Sequence, residues 1–227
     1  MSNRFRQIER AYRLVGKLSN LYDGMMTYTT VSGKIASNLI WSLDDKKAKE
    51  YVRKALSGIP EGCAGTILEV PVGTGSLSLE NYTRYPDAQV TCLDYSEEML
   101  SAARLRAEAL KLRHVSFLQG DVGALPFADN TFDCLLSING LHAFPEKEKA
   151  FAEMARVLKP GGILCGCCYV KGENWKTDLV ARTVFVQGGF FTQPFDTAES
   201  LRKRMEALYS EVSLETIEAE CVFRCVK

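Results

Sequence analysis

The sequence carries no excess charge of either sign: 28 Lys and Arg balance 28 Asp and Glu over 227 residues. Nucleic-acid binders usually show a basic footprint, and none is visible here, so nucleic acid is not an expected partner. A net charge of zero does not oppose self-association either, which leaves a homodimer open. Long apolar runs are missing too. The longest stretch without a charge, Thr183 to Phe195, has 13 residues and contains Gly188, Gly189 and Pro194. A membrane span needs about 20 apolar residues, so none is expected. Met1 to Arg13 is polar and charged, without a secretory apolar segment, and the expected compartment is the cytoplasm. Repeats and low-complexity tracts are absent.

What is present is ordinary globular material. Hydrophobic residues make up 46% and charged residues 25%, enough for one large domain with a normal core. The eight cysteines mostly lie inside apolar runs, as buried thiols do. Cys165, Cys167 and Cys168 invite a metal reading. However, Gly162 to Val170 reads as a strand, where alternate side chains face opposite ways, and no second Cys/His pair has zinc spacing. No metal is expected.

The first 60 residues read as helical. Phe5, Ile8, Tyr12 and Val15 share one helical face, and Ile35, Leu39 and Ile40 mark a second helix. Asp44 or Asp45 caps a third, with Ala48, Tyr51, Val52 and Ala55 inward. From residue 66 strands alternate with helices. The expected strands are 66–72, 89–93, 115–118, 132–138 and 162–170. The expected helices run from the turn after the first strand to about Tyr85, from Ser96, and from Pro145 to a stop at Lys159-Pro160-Gly161-Gly162. Helices near 174–187 and 197–209 follow, then strands 212–217 and 221–226 joined by Glu218-Ala219-Glu220. This alternation predicts an α/β fold with a doubly wound, mostly parallel sheet and an antiparallel edge.

Three features fall at one edge of that sheet. The first strand ends in Glu69-Val70-Pro71-Val72-Gly73-Thr74-Gly75, a glycine turn of the kind that lets a ligand approach the backbone. Asp94 ends the second strand, 19 residues beyond Gly75, where a carboxylate reaches the hydroxyls of a ribose. Asp121 follows the third strand, where it is placed to accept a hydrogen bond from an adenine amino group. Taken singly, the three also read as a common turn, a helix N-terminal acid and a turn acid.

In this order they resemble class I S-adenosylmethionine-dependent methyltransferases. Gly120-Asp121-Val122-Gly123-Ala124-Leu125-Pro126-Phe127 and Glu153-Met154-Ala155-Arg156-Val157-Leu158-Lys159-Pro160-Gly161-Gly162 are similar to the branch of ubiquinone and menaquinone biosynthesis C-methyltransferases. The resemblance implies a Rossmann-like, seven-stranded sheet with an antiparallel C-terminal strand. It implies S-adenosyl-L-methionine as cofactor and S-adenosyl-L-homocysteine as product. It further implies Glu69 near the methionine amino group, Gly73 and Gly75 against the methionine and ribose, and Asp94 on the ribose hydroxyls. Tyr95 and Met99 would lie beside the adenine, Asp121 and Val122 on its edge, and Ser137 and Asn139 at the methyl-transfer region. Pro71 departs from the family's glycine, removing a backbone donor from the loop.

The expected reaction is in-line methyl transfer to a small organic molecule, with His142 as the candidate base. Tyr22, Tyr28, Trp41, His142, Trp175, Phe190 and Phe191, together with Phe185 and Phe195, are the expected substrate wall. Residues 1–60 would form a helical cap and 61–227 the methyltransferase domain, with 171–210 as an inserted lid. Two alternatives stand beside this reading. One is a catalytically silent S-adenosylmethionine-binding module. The other is a dinucleotide-dependent oxidoreductase, which wants glycine where Ser78 stands.

Overall fold

The computed structural model describes residues 41–227. The helical faces expected around Phe5 to Val15 and Ile35 to Ile40, and the aromatics Tyr22 and Tyr28, lie outside the described residues.

Seven strands form one sheet in the order β3-β2-β1-β4-β5-β7-β6. They are β1 (Thr66–Glu69), β2 (Gln89–Asp94), β3 (Val115–Gln119), β4 (Phe132–Ile138), β5 (Leu158–Tyr169), β6 (Glu211–Ile217) and β7 (Glu220–Val226). The first five are parallel, whereas β7 runs antiparallel to both β5 and β6. The doubly wound expectation therefore holds, including its antiparallel edge.

Five α-helices flank the sheet among the described residues: α1 (Asp45–Leu56), α2 (Glu97–Ala109), α3 (Lys147–Val157), α4 (Trp175–Val180) and α5 (Ala198–Glu206). None is long and apolar enough to cross a membrane. Asp44 caps α1 by accepting the Lys47 N–H, and Ser96 caps α2 by accepting the Met99 N–H. Ala48, Tyr51 and Ala55 of α1 are buried, as their helical spacing predicts.

Alternation along β5 separates the two cores. Cys165 and Cys167 join Ile67, Leu136, Ile138 and Val222 under α1. Leu164 and Cys168 join Leu68, Leu135, Phe151 and Phe223 on the other face. The three thiols are thus split between faces, and seven of the eight cysteines are buried.

Several predicted boundaries move. The helix expected up to Tyr85 is only a 3₁₀ segment, Leu79–Arg84, because Gly73 and Gly75 hold the preceding loop at φ 57° and 69°. Pro145 stands outside α3, whose cap is Glu146. Lys159 to Gly162 does not merely stop α3 but already belongs to β5, which begins at Leu158 opposite Phe132. The segment predicted as one helix over 174–187 is α4 followed by a single π-helical stretch, Ala181–Phe185.

Candidate active site

Neighbours of β1 are β2 on one side and β4 on the other, so the chain reverses its winding there. The carboxyl ends of strands diverge at such a switch point and leave a crevice. Here the crevice, together with the open space at its mouth, spans about 1040 Å³. Its walls include Glu69, Pro71, Gly73, Asp94, Tyr95, Asp121, Val122 and Asn139, which were singled out from the sequence. They also include Ser76, Leu77 and Ser78 of the glycine loop and Ala143, Phe144 and Pro145 beyond β4, which were not.

The loop after β1 is tied to β2 through Asp94. One carboxylate oxygen accepts the Gly73 N–H at 2.8 Å, and the other accepts the Ser96 N–H at 2.9 Å. Burial outweighs these bonds and pushes the Asp94 carboxyl up to about 6. A side chain at Gly73 would meet no atom within 4 Å, so the glycine opens directly onto free space. Gly75 serves packing instead. A Cβ there would lie 2.3 Å from Leu79 Cδ1, and the residue does not line the crevice.

Glu69 is buried at the floor of the crevice. It accepts a 2.8 Å hydrogen bond from the Tyr82 hydroxyl, with the Cys92 thiol 3.7 Å away. Desolvation pushes its carboxyl up to about 7, against those donors. Asp121 closes a turn by accepting the Gly123 N–H at 2.8 Å. That turn is pinned from behind by Arg156, which reaches the Leu125 and Phe127 carbonyls and pairs with Glu153 and Asp129. The Glu153-Met154-Ala155-Arg156 run therefore supports the loop that carries Asp121 rather than touching the crevice.

Besides Gly75, four expectations need correction. Met99 is buried in the first turn of α2 and does not reach the crevice. Ser137 is fully buried, with its hydroxyl unpartnered, beneath Gly140. Trp175 is 72% exposed and borders a separate surface groove with Tyr169, Lys171, Leu179, Arg182 and Phe195, none of which lines the cofactor crevice.

The fourth concerns His142. It is buried, and its Nδ1 accepts the Tyr169 N–H at 3.0 Å, so its remaining proton sits on Nε2. Burial, aided by the Lys147 charge, pushes its basicity down to about 3. A histidine held neutral with its free lone pair already engaged is no general base. It braces the segment between α4 and α5 instead, with its ring centroid 4.0 Å from that of Phe191 and its carbonyl accepting the Thr192 N–H.

The remaining predicted aromatics do gather. Trp41 stacks on Phe185 at 5.7 Å, and Phe191 contacts Trp41, Phe185, Tyr169 and Phe195. Phe190 packs against the same cluster. Tyr169 is the member that the sequence reading missed. Its place at the end of β5 was legible, but its meeting with residues 41, 185 and 191 was not.

Comparison with known proteins identifies this architecture. A family described as "Methyltransferase domain" matches residues 67–162. The chain is 34% identical over 176 residues to the demethylmenaquinone methyltransferase of Thermus thermophilus, covering 75% of this chain and 80% of that protein. It is 43% identical over 102 residues to a ubiquinone/menaquinone biosynthesis C-methyltransferase of Dinoroseobacter shibae, covering 44% and 41% respectively. The chain belongs to the class I S-adenosylmethionine-dependent methyltransferases, in the ubiquinone and menaquinone branch.

Solved structures agree on the fold of this methyltransferase. One from Thermotoga maritima, described as a possible histamine N-methyltransferase, superposes with a TM-score of 0.66 at 20% identity, covering 96% of this chain and 99% of that one. Phosphoethanolamine N-methyltransferase 2 of Haemonchus contortus, solved with S-adenosylhomocysteine, gives 0.62 at 20% identity, covering 81% and 43%. The enzyme thus uses S-adenosylmethionine, and the crevice fits it. Gly73 leaves open space where its backbone meets the crevice, carboxylates stand at the ends of β1 and β2, and Leu93, Val122 and Phe144 supply apolar walls. The oxidoreductase alternative falls with this assignment.

Proposed function

We propose that this methyltransferase transfers a methyl group to a ring carbon of a quinol-type aromatic acceptor. The observation that carries the reading is the 34% identity to a demethylmenaquinone methyltransferase across 80% of that protein's length. The cluster of Trp41, Tyr169, Phe185 and Phe191 supports it, because flat faces of this kind suit an aromatic ring.

S-Adenosylmethionine supplies an electrophilic methyl on a sulfonium. The chain supplies position and charge. Asp94 takes the ribose hydroxyls with lone pairs left over from Gly73 and Ser96, whose N–H groups hold the carboxylate in place beforehand. Asp121 and Val122 meet the adenine edge, with Tyr95 beside it. Glu69, in its ionised form, offsets the positive charge of the methionine end. Pro71 covers Gly140, where its Cδ leaves no room for a side chain, and Asn139 borders the site of transfer.

With the cofactor bound, the acceptor would react as its phenolate: a ring carbon would take the methyl, S-adenosylhomocysteine would leave, and the ring hydrogen would pass by way of water to the ring oxygen, so that one proton is released overall. Alignment can contribute roughly 7–11 kcal/mol to such a step. Residues 171–210 act as a lid carrying Phe185, Phe190 and Phe191.

The test combines calorimetry with S-adenosylhomocysteine and turnover of short-tailed 1,4-naphthalenediols, read by mass spectrometry. A C-methylated product supports the reading. Tight cofactor binding without methylation of any naphthalenediol overturns the acceptor assignment and favours the silent binding module.

A further inference from the structure

Glu220 is the first residue of β7 and is buried, yet its Oε2 has no hydrogen-bond partner. The contrast with the other buried carboxylates is sharp. Glu69 is held by the Tyr82 hydroxyl and Asp94 by two backbone N–H groups. For Glu220 burial acts alone and pushes the carboxyl up to about 8. At neutral pH it is therefore a neutral acid, with one O–H to donate and a carbonyl oxygen to accept. A buried polar group without a partner calls for an explanation beyond folding, because nothing in the fold uses it.

Its position supplies one. Glu220 pairs with Tyr169 at the carboxyl end of β5, so it stands at the same sheet edge as the cofactor crevice. Side chains alternate along β7, which puts Glu220 on the face of Val222, the face shared by Cys167 and Ile138. Ile138 and Asn139 line the crevice. Asn139 has φ 55°, and this left-handed turn carries its carboxamide onto that same face, where Oδ1 lies 3.8 Å from the Cys167 thiol. A row thus runs from the crevice wall across the sheet edge: Asn139 just past the end of β4, Cys167 on β5 opposite Val222, and Glu220 on β7, two residues along from Val222. Its ends are two interstrand spacings apart, about 10 Å. The titratable groups nearest Glu220 are the Cys167 thiol and the Tyr169 phenol on this face and the Cys168 and Cys221 thiols on the other. The phenol already donates to Asp178, at 2.7 Å.

We propose that Glu220 recognises the acceptor by hydrogen-bonding a ring hydroxyl or carbonyl at the end of the aromatic ring system remote from the transferred methyl. It is a specificity residue rather than a base, since the methyl meets the ring at the Asn139 end. The assignment rests on the quinol-type reading above.

The experiment compares wild type, Glu220→Gln and Glu220→Met. The Gln side chain keeps a donor and an acceptor, whereas Met fills similar space without either. Removing an orphan carboxyl leaves thermal stability equal or higher in both variants, and S-adenosylhomocysteine affinity by calorimetry stays at the wild-type value. With a 1,4-naphthalenediol as acceptor, Glu220→Met raises KM roughly tenfold or more with kcat little changed, and Glu220→Gln recovers most of the loss. Selectivity shifts in parallel: Glu220→Met no longer prefers the diol over the corresponding mono-naphthol. Turnover of the diol by wild type with an unchanged KM in Glu220→Met overturns the role of Glu220 alone. Failure of wild type to methylate any hydroxynaphthalene overturns the acceptor reading and this assignment with it.

Discussion

Asp94 fixes the glycine loop and, in the proposed function, also takes the ribose hydroxyls. Asp94→Ala strands the Gly73 and Ser96 N–H groups and removes the ligand contact. We expect S-adenosylhomocysteine affinity to fall by about tenfold or more in calorimetry, with a loss of ~1–3 kcal/mol in denaturant-measured stability. Glu69 gives the free enzyme a pH signature. Its carboxyl is raised to about 7 in the folded protein, so the native state binds the proton more tightly than the unfolded chain. Its contribution to stability is therefore present at acid pH and lost as pH rises from the ordinary carboxylate range through about 7. His142, depressed to about 3, acts oppositely, its contribution being lost as pH falls below 6.5, while Asp94 and Glu220, raised to about 6 and about 8, act in the same sense, so Glu69 must be separated from all three. Urea unfolding of Glu69→Gln beside wild type does this: the difference between their stabilities should change across that window, and a constant difference refutes the assignment. Cofactor affinity should rise with pH over the same range, because the ionised carboxylate is the form that attracts a cation. Asp94 and Asp121 were legible in the sequence because each follows a strand at a fixed spacing. The use of His142 was not, since the engagement of Nδ1 depends on Tyr169, 27 residues away.

Elements meet at glycines of two kinds, and the difference is measurable. Gly166 sits in β5 against β4, where a Cβ would come within 1.9 Å of the Ser137 carbonyl oxygen. Gly166→Ala must separate the two central strands, and we expect a loss at the upper end of single-substitution effects, ~3 kcal/mol or more, by chemical denaturation. Gly73 has open space and only its φ of 57° to defend. Gly73→Ala should therefore cost a modest ~1–2 kcal/mol in stability, while its methyl enters the crevice and weakens cofactor binding. If instead Gly73→Ala proves the less stable of the two, the packing account of β4 and β5 fails. His142 links β4, β5 and the Phe191–Thr192 segment in the same way. His142→Ala orphans the Tyr169 N–H, so we expect destabilisation without loss of any limb near neutrality in the pH–rate profile. The strands and longer helices were readable because their apolar periods are local. The boundaries at Leu79, Lys147 and Leu158 were not, since they depend on a loop held by Asp94 and on the pairing of Leu158 with Phe132.

At the scale of the whole molecule, the crevice joins β1, β2, β3 and β4, so ligand binding should stabilise the fold as a unit. S-Adenosylhomocysteine at 100 times Kd adds about 2.7 kcal/mol, which for a chain of this size is a rise of roughly 5–11 °C in Tm. A shift absent despite calorimetric binding would mean that the unfolding unit excludes the crevice. The ion pairs that link distant parts, such as Lys54 with Glu215 and Arg204 with Glu148, lie at the surface, and moderate salt should change Tm little. The sequence by itself determined the alternation of strands and helices, the cofactor-binding edge and the family. Each follows from local period or from spacing within one strand–turn–helix unit. The tertiary structure alone decided which residues act at that edge. Sheet order placed Trp175 on a separate surface groove, buried Ser137, engaged His142 and brought Glu220 beside Cys167, through contacts that join residues far apart in the chain.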